Sequence, residues 1–167
     1  NIFYGNELVN ILRNAKSKVD SATVFTYPVS DPENYGVIEF DKSGHPLRII
    51  EKPREFLSRF ALTGLYYYDS TAVDRAKEIK PSKRGELEIS SLNQMYLEDK
   101  KLNIEKLGRG LAWLDTGTID SLIEASLYIK SIERRQGLKI GCPEEIAWRL
   151  GWINNNELER LAIPLKK

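Results

Sequence analysis

Cysteine, histidine and methionine are nearly absent from this chain: 167 residues contain one of each. A single cysteine excludes an internal disulfide, and a single histidine beside it excludes a zinc-type cluster. No apolar run approaches the length of a transmembrane helix, and no charged-then-apolar signal segment opens the chain. Neither sign of charge dominates, since 25 Lys+Arg face 24 Asp+Glu for a net charge of +1. Nucleic-acid binders usually carry a marked basic excess, so that partner class is set aside. There is no low-complexity tract and no internal repeat. The expectation is a cytoplasmic protein with neither membrane nor nucleic acid as partner. A hydrophobic content of 41% over this length supplies one real core.

What is present centres on Gly108-Arg-Gly-Leu-Ala-Trp-Leu-Asp-Thr-Gly-Thr118. The apolar run Leu111 to Leu114 ends in Asp115-Thr116-Gly117-Thr118. Apolar residues then recur at helical spacing: Ile119, Leu122, Ala125, Ile129 and Ile132. This reads as a strand end, a tight polar turn and a helix N-terminus. In α/β proteins ligands bind beyond the carboxyl ends of strands, where a carboxylate can hold a hard cation against phosphates. The plainer reading is that Asp115, Thr116 or Thr118 caps the helix. Asp-Thr-Gly is also the aspartic-protease triplet, but such a protease needs strands where this sequence has a helix.

Along the chain, Leu8, Ile11, Leu12 and Ala15 share a helix face, and Ala22 to Tyr27 reads as a buried strand. Asp31 to Asn34 is a turn. Val37–Phe40 and Leu47–Lys52 flank a hairpin turn at Asp41 to His45, which makes His45 a solvated turn residue. Lys52 precedes Pro53 and is expected to be extended. Glu51 and Lys52 then point to opposite faces. The carboxylate is free to accept from sugar hydroxyls and the ammonium to meet a phosphate, although an exposed strand end is the plainer account. Ala61 to Tyr68 is a further strand, with Gly64 marking a close approach to its backbone and its three tyrosines read as packing.

Ser70 is expected to cap a short helix ending near Lys80. Arg84-Gly85-Glu86-Leu87-Glu88 leads into a helix through Ile89, Leu92 and Tyr96, and Leu102 to Leu107 is a strand. The long helix after Thr118 runs to about Arg134 and stops at Gly137. Pro143 opens another helix, with Cys142 at its start as a structural filler, and Asn154 to Leu161 is the last. Strands alternating with helices, plus one hairpin, predict an α/β fold with a mixed sheet flanked by helices.

Taken together, Asn1-Ile-Phe-Tyr-Gly5, Asp31-Pro32-Glu33 through Tyr35-Gly36-Val37, Glu51-Lys52-Pro53, Thr63-Gly64-Leu65-Tyr66, Arg84-Gly85-Glu86-Leu87-Glu88-Ile89, Trp113-Leu-Asp-Thr-Gly-Thr118 and Arg135-Gln136-Gly137-Leu138 resemble the glucose-1-phosphate thymidylyltransferases. This family of bacterial sugar nucleotidyltransferases belongs to the deoxysugar (rhamnose) pathway, and the resemblance spans nearly the whole chain.

The resemblance implies the sugar-binding part of a Rossmann-like nucleotide-diphospho-sugar transferase fold. It implies magnesium-dependent formation of dTDP-glucose and pyrophosphate from dTTP and glucose 1-phosphate. Asp115 matches a magnesium carboxylate, and Lys52 and Arg84 match cationic phosphate contacts. Asn1, Tyr35, Gly36, Glu51, Leu62 and Tyr66 match the glucose pocket; Leu62 stands where the family has valine, so its contact is expected through backbone. Tyr4, Gly5, Arg109, Gly141, Cys142, Glu145, Ile146 and Arg149 match a regulatory site for dTDP-sugars between subunits of a homotetramer. Residues 1–118 then form the sugar-phosphate and metal half, and residues 119–167 a helical assembly and regulatory region.

The family's Gly-rich nucleotide loop and its other magnesium aspartate are missing from the sequence, which opens at Asn1 in mid-strand without a methionine. The chain alone is therefore expected to be inactive. The alternative is a non-catalytic module that oligomerises or binds a nucleotide sugar.

Overall fold

The computed structural model describes residues 1–165. The chain divides into two compact units, Asn1–Asp115 and the remainder from Thr116.

In the first unit, five strands form one sheet. In chain order they are β2 (Ala22–Pro28), β3 (Gly36–Phe40), β4 (Pro46–Glu51), β5 (Phe60–Tyr67) and β6 (Leu102–Lys106). Their spatial order is β4-β3-β5-β2-β6. Three pairings are antiparallel; β2 and β6 alone run parallel, aligning Ala22 with Leu102. This is the mixed sheet expected from the pattern. A separate two-stranded ribbon joins β1 (Ile2–Tyr4) to β7 (Ala112–Leu114). Asp41 shapes the β3–β4 turn, accepting from the Ser43 and His45 amides at 2.8 Å each, and His45 is exposed as expected.

The period-two alternation of the central strands builds two cores, one on each face. On one face Phe25 packs with Ala15, Leu107 and Leu111, and Leu8, Ile11 and Leu12 of helix α1 (Leu8–Lys16) close over it. On the other, Val24, Ile38, Ile49 and Leu62 pack together, with Tyr66 and Leu97 against them. Leu97 comes from helix α3 (Ile89–Glu98), whose Leu92 and Tyr96 bury against Ala22. Gln94 of α3 also accepts the outward Ile49 amide at 2.8 Å, covering the exposed side of strand β4.

Two local expectations fail. Ser70 does not cap helix α2 (Ala72–Glu78); the preceding turn is closed by the Asp69 carboxylate, which accepts from the Thr71 amide at 3.0 Å and the Thr71 hydroxyl at 2.6 Å. A carboxylate is a stronger acceptor than a hydroxyl, so it wins that turn. Lys52, expected extended before proline, has φ +43°. Its amide donates to the Tyr35 carbonyl at 3.0 Å, an anchor that holds the left-handed conformation against its steric cost.

Lys100 also sits at positive φ, +58°, where it ends α3. Its amide donates to the Leu97 carbonyl at 3.0 Å and the Lys101 amide to Tyr96 at 2.8 Å. A helix ending of this kind favours glycine. Lys100→Gly is expected to stabilise the chain by about 0.5–1 kcal/mol, read as a higher urea midpoint with an unchanged slope.

In the second unit, α4 (Ile119–Gln136) opens on a reciprocal pair in which Thr118 caps the Ser121 amide and Ser121 caps the Thr118 amide. Gly137, at φ +70°, ends it. Of the apolar series along α4, Ala125 is buried and Ile129 and Ile132 are half-buried, but Ile119 is 79% exposed and Leu122 52%. The helix is therefore as expected, while its first turns present apolar side chains to solvent. Helix α5 (Pro143–Arg149) starts at proline, and α6 (Asn155–Ala162) opens on a capping box between Asn154 and Glu157.

Candidate functional site

Strand ends and one helix start converge in the first unit on a cleft of about 170 Å³. Strand β3 contributes Gly36 at its first residue and β4 contributes Glu51 at its last. Strand β5 brings Leu62 near its start and Tyr66 near its end, α3 brings Ser90, β7 brings Trp113, and Asp115 follows β7 directly. The volume lies below that of a drug-sized pocket and suits one small polar ligand. Asn1, Tyr35, Gly36, Glu51, Leu62, Tyr66 and Asp115 all line it.

Glu51 is one of two carboxylates on the cleft wall, with Asp115 the other. Ser90 donates its hydroxyl to Glu51 Oε2. A Cβ on Gly36 would lie 2.8 Å from that oxygen and 2.9 Å from the Ser90 hydroxyl. No side chain fits at Gly36 without displacing the pair. Tyr66 stands near Glu51; burial first, and the Glu51 charge second, push its phenol up to about 12. Tyr66 therefore stays a neutral donor at physiological pH. Burial also raises Tyr35, helped by the charges of Asp31 and Asp115.

Because the folded Tyr66 holds its proton above the ordinary value of 10, its stabilising contribution is intact below pH 10 and is lost as pH rises towards 12. Urea midpoints are expected to fall between pH 10 and pH 12, and Tyr66→Phe to flatten that fall. An equally steep fall in the variant would show that the other tyrosines account for it.

Asn1 is the hub of the opposite wall. Its side-chain oxygen accepts from Trp113 Nε1 at 2.6 Å and from the Gly64 amide at 3.3 Å, and its amide nitrogen donates to Asp115 Oδ1 at 3.5 Å. The close approach expected at Gly64 is this one: a Cβ there would sit 3.0 Å from the Asn1 amide group. The Trp113 ring in turn lies 5.2 Å from Tyr35 and 5.9 Å from Tyr27. Thr118 takes the cap of α4, and the carboxylate of Asp115 accepts from the Asn1 amide.

Lys52 and Arg84 do not line this cleft. Lys52 follows Glu51 and is exposed, its strained backbone tied to Tyr35. Arg84 lines an adjoining cleft of about 430 Å³ in which Glu51 and Ser90 form the shared wall. Its guanidinium pairs with Glu86 at 3.0 Å and Glu88 at 3.5 Å.

Among the described residues no group of three or more His, Cys, Asp and Glu side chains gathers to cage a metal ion. Asp115 offers one hard carboxylate at the cleft. That donor set fits magnesium, which binds through one or two carboxylates together with substrate phosphates and retained water.

The residues matched to a regulatory site lie in both units. In the first, Tyr4 ends β1, Gly5 follows it, and Arg109 lies in the turn before β7. In the second, Gly141 takes φ +66° and Cys142 precedes Pro143, its thiol donating to Glu144 Oε2 at 3.3 Å. On α5, Arg149 pairs with Glu145 at 2.8 Å, and Ile146 is 49% exposed.

Sequence reasoning assigned no role to Ser90 or Trp113. Trp113 stood inside a recognised motif, yet only folding brings its indole to Asn1. Nothing local marks Ser90 as the partner of Glu51.

The mixed sheet and strand-end cleft define a Rossmann-like nucleotide-diphospho-sugar transferase fold. A solved Bacillus anthracis structure, described provisionally as a glucose-1-phosphate thymidylyltransferase in complex with sucrose, aligns with a TM-score of 0.65 at 35% identity, over 76% of this chain and 50% of that one. The sequence profile of the nucleotidyl transferase family matches residues 1–132, and the chain belongs to that family. Curated relatives named glucose-1-phosphate thymidylyltransferase include one from Xanthomonas campestris pv. campestris (strain B100), 55% identical over all of this chain and 57% of its own length. Another, from Neisseria gonorrhoeae, is 52% identical over all of this chain and 58% of its own length. The chain thus spans less than two thirds of these relatives.

Proposed function

We propose that this chain supplies the sugar-phosphate side of a glucose-1-phosphate thymidylyltransferase, which forms dTDP-glucose and pyrophosphate from dTTP and glucose 1-phosphate. The observation that carries the reading is the cleft itself: a sugar-sized space with an anchored carboxylate, a neutral phenol and Asp115 on its wall. In the reaction, a phosphate oxygen of the sugar attacks the α-phosphorus of dTTP. One P–O bond forms as the bond to the bridging oxygen breaks, and pyrophosphate leaves with the electron pair. Such a transfer depends on positioning and charge neutralisation.

Glu51 accepts from sugar hydroxyls and Tyr66 donates to one. Leu62 is committed to the core by its side chain, so its backbone faces the sugar. Lys52 and Arg84 meet the phosphates from the rim and the adjoining cleft. Asp115 would hold magnesium, which neutralises phosphate charge when bound. The regulatory residues serve a dTDP-sugar site in a cytoplasmic homotetramer. The sequence holds no Gly-rich loop for dTTP, so the chain alone binds the sugar phosphate and does not turn it over.

The test is calorimetry with glucose 1-phosphate, beside an assay of pyrophosphate release with dTTP, glucose 1-phosphate and magnesium. Binding without turnover is expected. Turnover that vanishes in Asp115→Asn would show a nucleotide site within this chain. Failure to bind glucose 1-phosphate, with binding of a dTDP-sugar retained, would favour the non-catalytic module.

A further inference from the structure

We infer that Ser90 is a positioning residue: acting through Glu51, it fixes the carboxylate that sorts sugar hydroxyls in the cleft, and Gly36 keeps the space in which the pair meets. The inference rests on the sugar-binding reading of the cleft. Four observations support it. Glu51 ends strand β4 in register with Gly36 of β3, which has no side chain to pack against it. Its partner is the Ser90 hydroxyl, two residues past the α3 N-cap Glu88, where the positive end of the helix dipole favours a carboxylate. The position a Cβ on Gly36 would occupy is within 3 Å of both groups. Ser90 is 4% exposed, so its hydroxyl has little solvent to turn to.

The arrangement has a chemical consequence. A carboxylate with one oxygen engaged by a hydroxyl presents the other at a set angle, and it can accept from a pair of adjacent hydroxyls only in that orientation. Because Glu51 and Ser90 also form the wall shared with the Arg84 cleft, releasing the carboxylate would open one cleft to the other. The effect is expected on the sugar hydroxyls, because Ser90 acts through the Glu51 carboxylate that accepts from them.

The test uses the 167-residue chain with Ser90→Ala, Ser90→Thr, Glu51→Gln and the Ser90→Ala/Glu51→Gln double variant, all checked for unchanged thermal melts. Ser90→Ala is expected to weaken glucose 1-phosphate binding by about tenfold, the scale of one charge-assisted hydrogen bond. Ser90→Thr, which keeps the hydroxyl, is expected to restore most of it. The double variant is expected to bind no worse than Glu51→Gln alone, because Ser90 acts only through that carboxylate. Losses that add would overturn the positioning role and make Ser90 an independent contact.

A second readout needs no ligand. NMR titration of Tyr66, raised first by burial and second by the Glu51 charge, is expected to move part of the way down in Ser90→Ala as the carboxylate swings away. If the wild-type chain fails to bind glucose 1-phosphate, the sugar reading falls, and the Tyr66 titration still decides the link. An unchanged Tyr66 would overturn it.

Discussion

Asp115→Asn, placed in a chimera in which this chain replaces the matching part of the Xanthomonas campestris relative, is expected to lower pyrophosphate release on the order of a thousandfold. The substitution is nearly isosteric. An asparagine oxygen can still accept from the Asn1 amide, whose contact with Asp115 is 3.5 Å. What disappears is a full negative charge at the wall of the cleft, and with it the attraction that would hold magnesium against phosphate. Asp115 lies outside the core clusters, so the melting temperature should not move while turnover collapses. Titration with manganese by electron paramagnetic resonance supplies the second readout, and weaker metal binding is expected in the variant. Retained turnover with an unchanged metal requirement would remove Asp115 from the metal site.

Gly5→Ala should be the most destabilising small substitution in the first unit. A Cβ there would lie 2.6 Å from the Gly110 carbonyl oxygen, 2.6 Å from Leu111 Cδ2 and 3.0 Å from Leu111 Cα. Two of these are backbone atoms, which cannot swing aside as a side-chain tip can. Leu111 is itself buried in the cluster built on Phe25. Forcing the loop outward is expected to cost about 2–3 kcal/mol, which lowers the melting temperature of a domain this size by about 5–10 °C. The family resemblance places Gly5 in the wall of a regulatory site, and the two accounts separate cleanly. An unchanged melt together with lost dTDP-sugar binding would show that the packing argument is wrong.

The sequence made some of this architecture readable and concealed the rest for identifiable reasons. Periodicity marked α1 through Leu8, Ile11, Leu12 and Ala15, and turn chemistry marked the hairpin at Asp41 to His45, because both signals lie within a few residues of one another. Gly64 announced that something approaches β5 but could not say what, since Asn1 is remote in sequence. The indole of Trp113 reaches the same asparagine from the other end of the unit. Lys52 shows the opposite failure. The local preference of a residue before proline is for extended backbone, and a hydrogen bond from the Lys52 amide to Tyr35 overrides it. Ser70 lost its expected role to a better acceptor next door, Asp69. The seven cleft residues carried over by resemblance lie on one wall or another of a single cavity, which composition alone gave no means of foreseeing. The hydroxyl of Ser90 went unnoticed because serine is common at helix starts.

The pairing of β2 with β6 has a kinetic side. The β3–β4 hairpin needs only its short turn to close, whereas β2 cannot meet its parallel partner until Leu102 has come back to Ala22, with the hairpin, β5, α2 and α3 in between. Closing so long a loop is entropically slow. Within the five-stranded sheet the last strand to dock should therefore be β6, and the nascent chain passes through an interval in which one flank of its most buried strand stands bare. During that interval its hazard is intermolecular pairing, and refolding yield should fall as protein concentration rises even where the finished fold is stable.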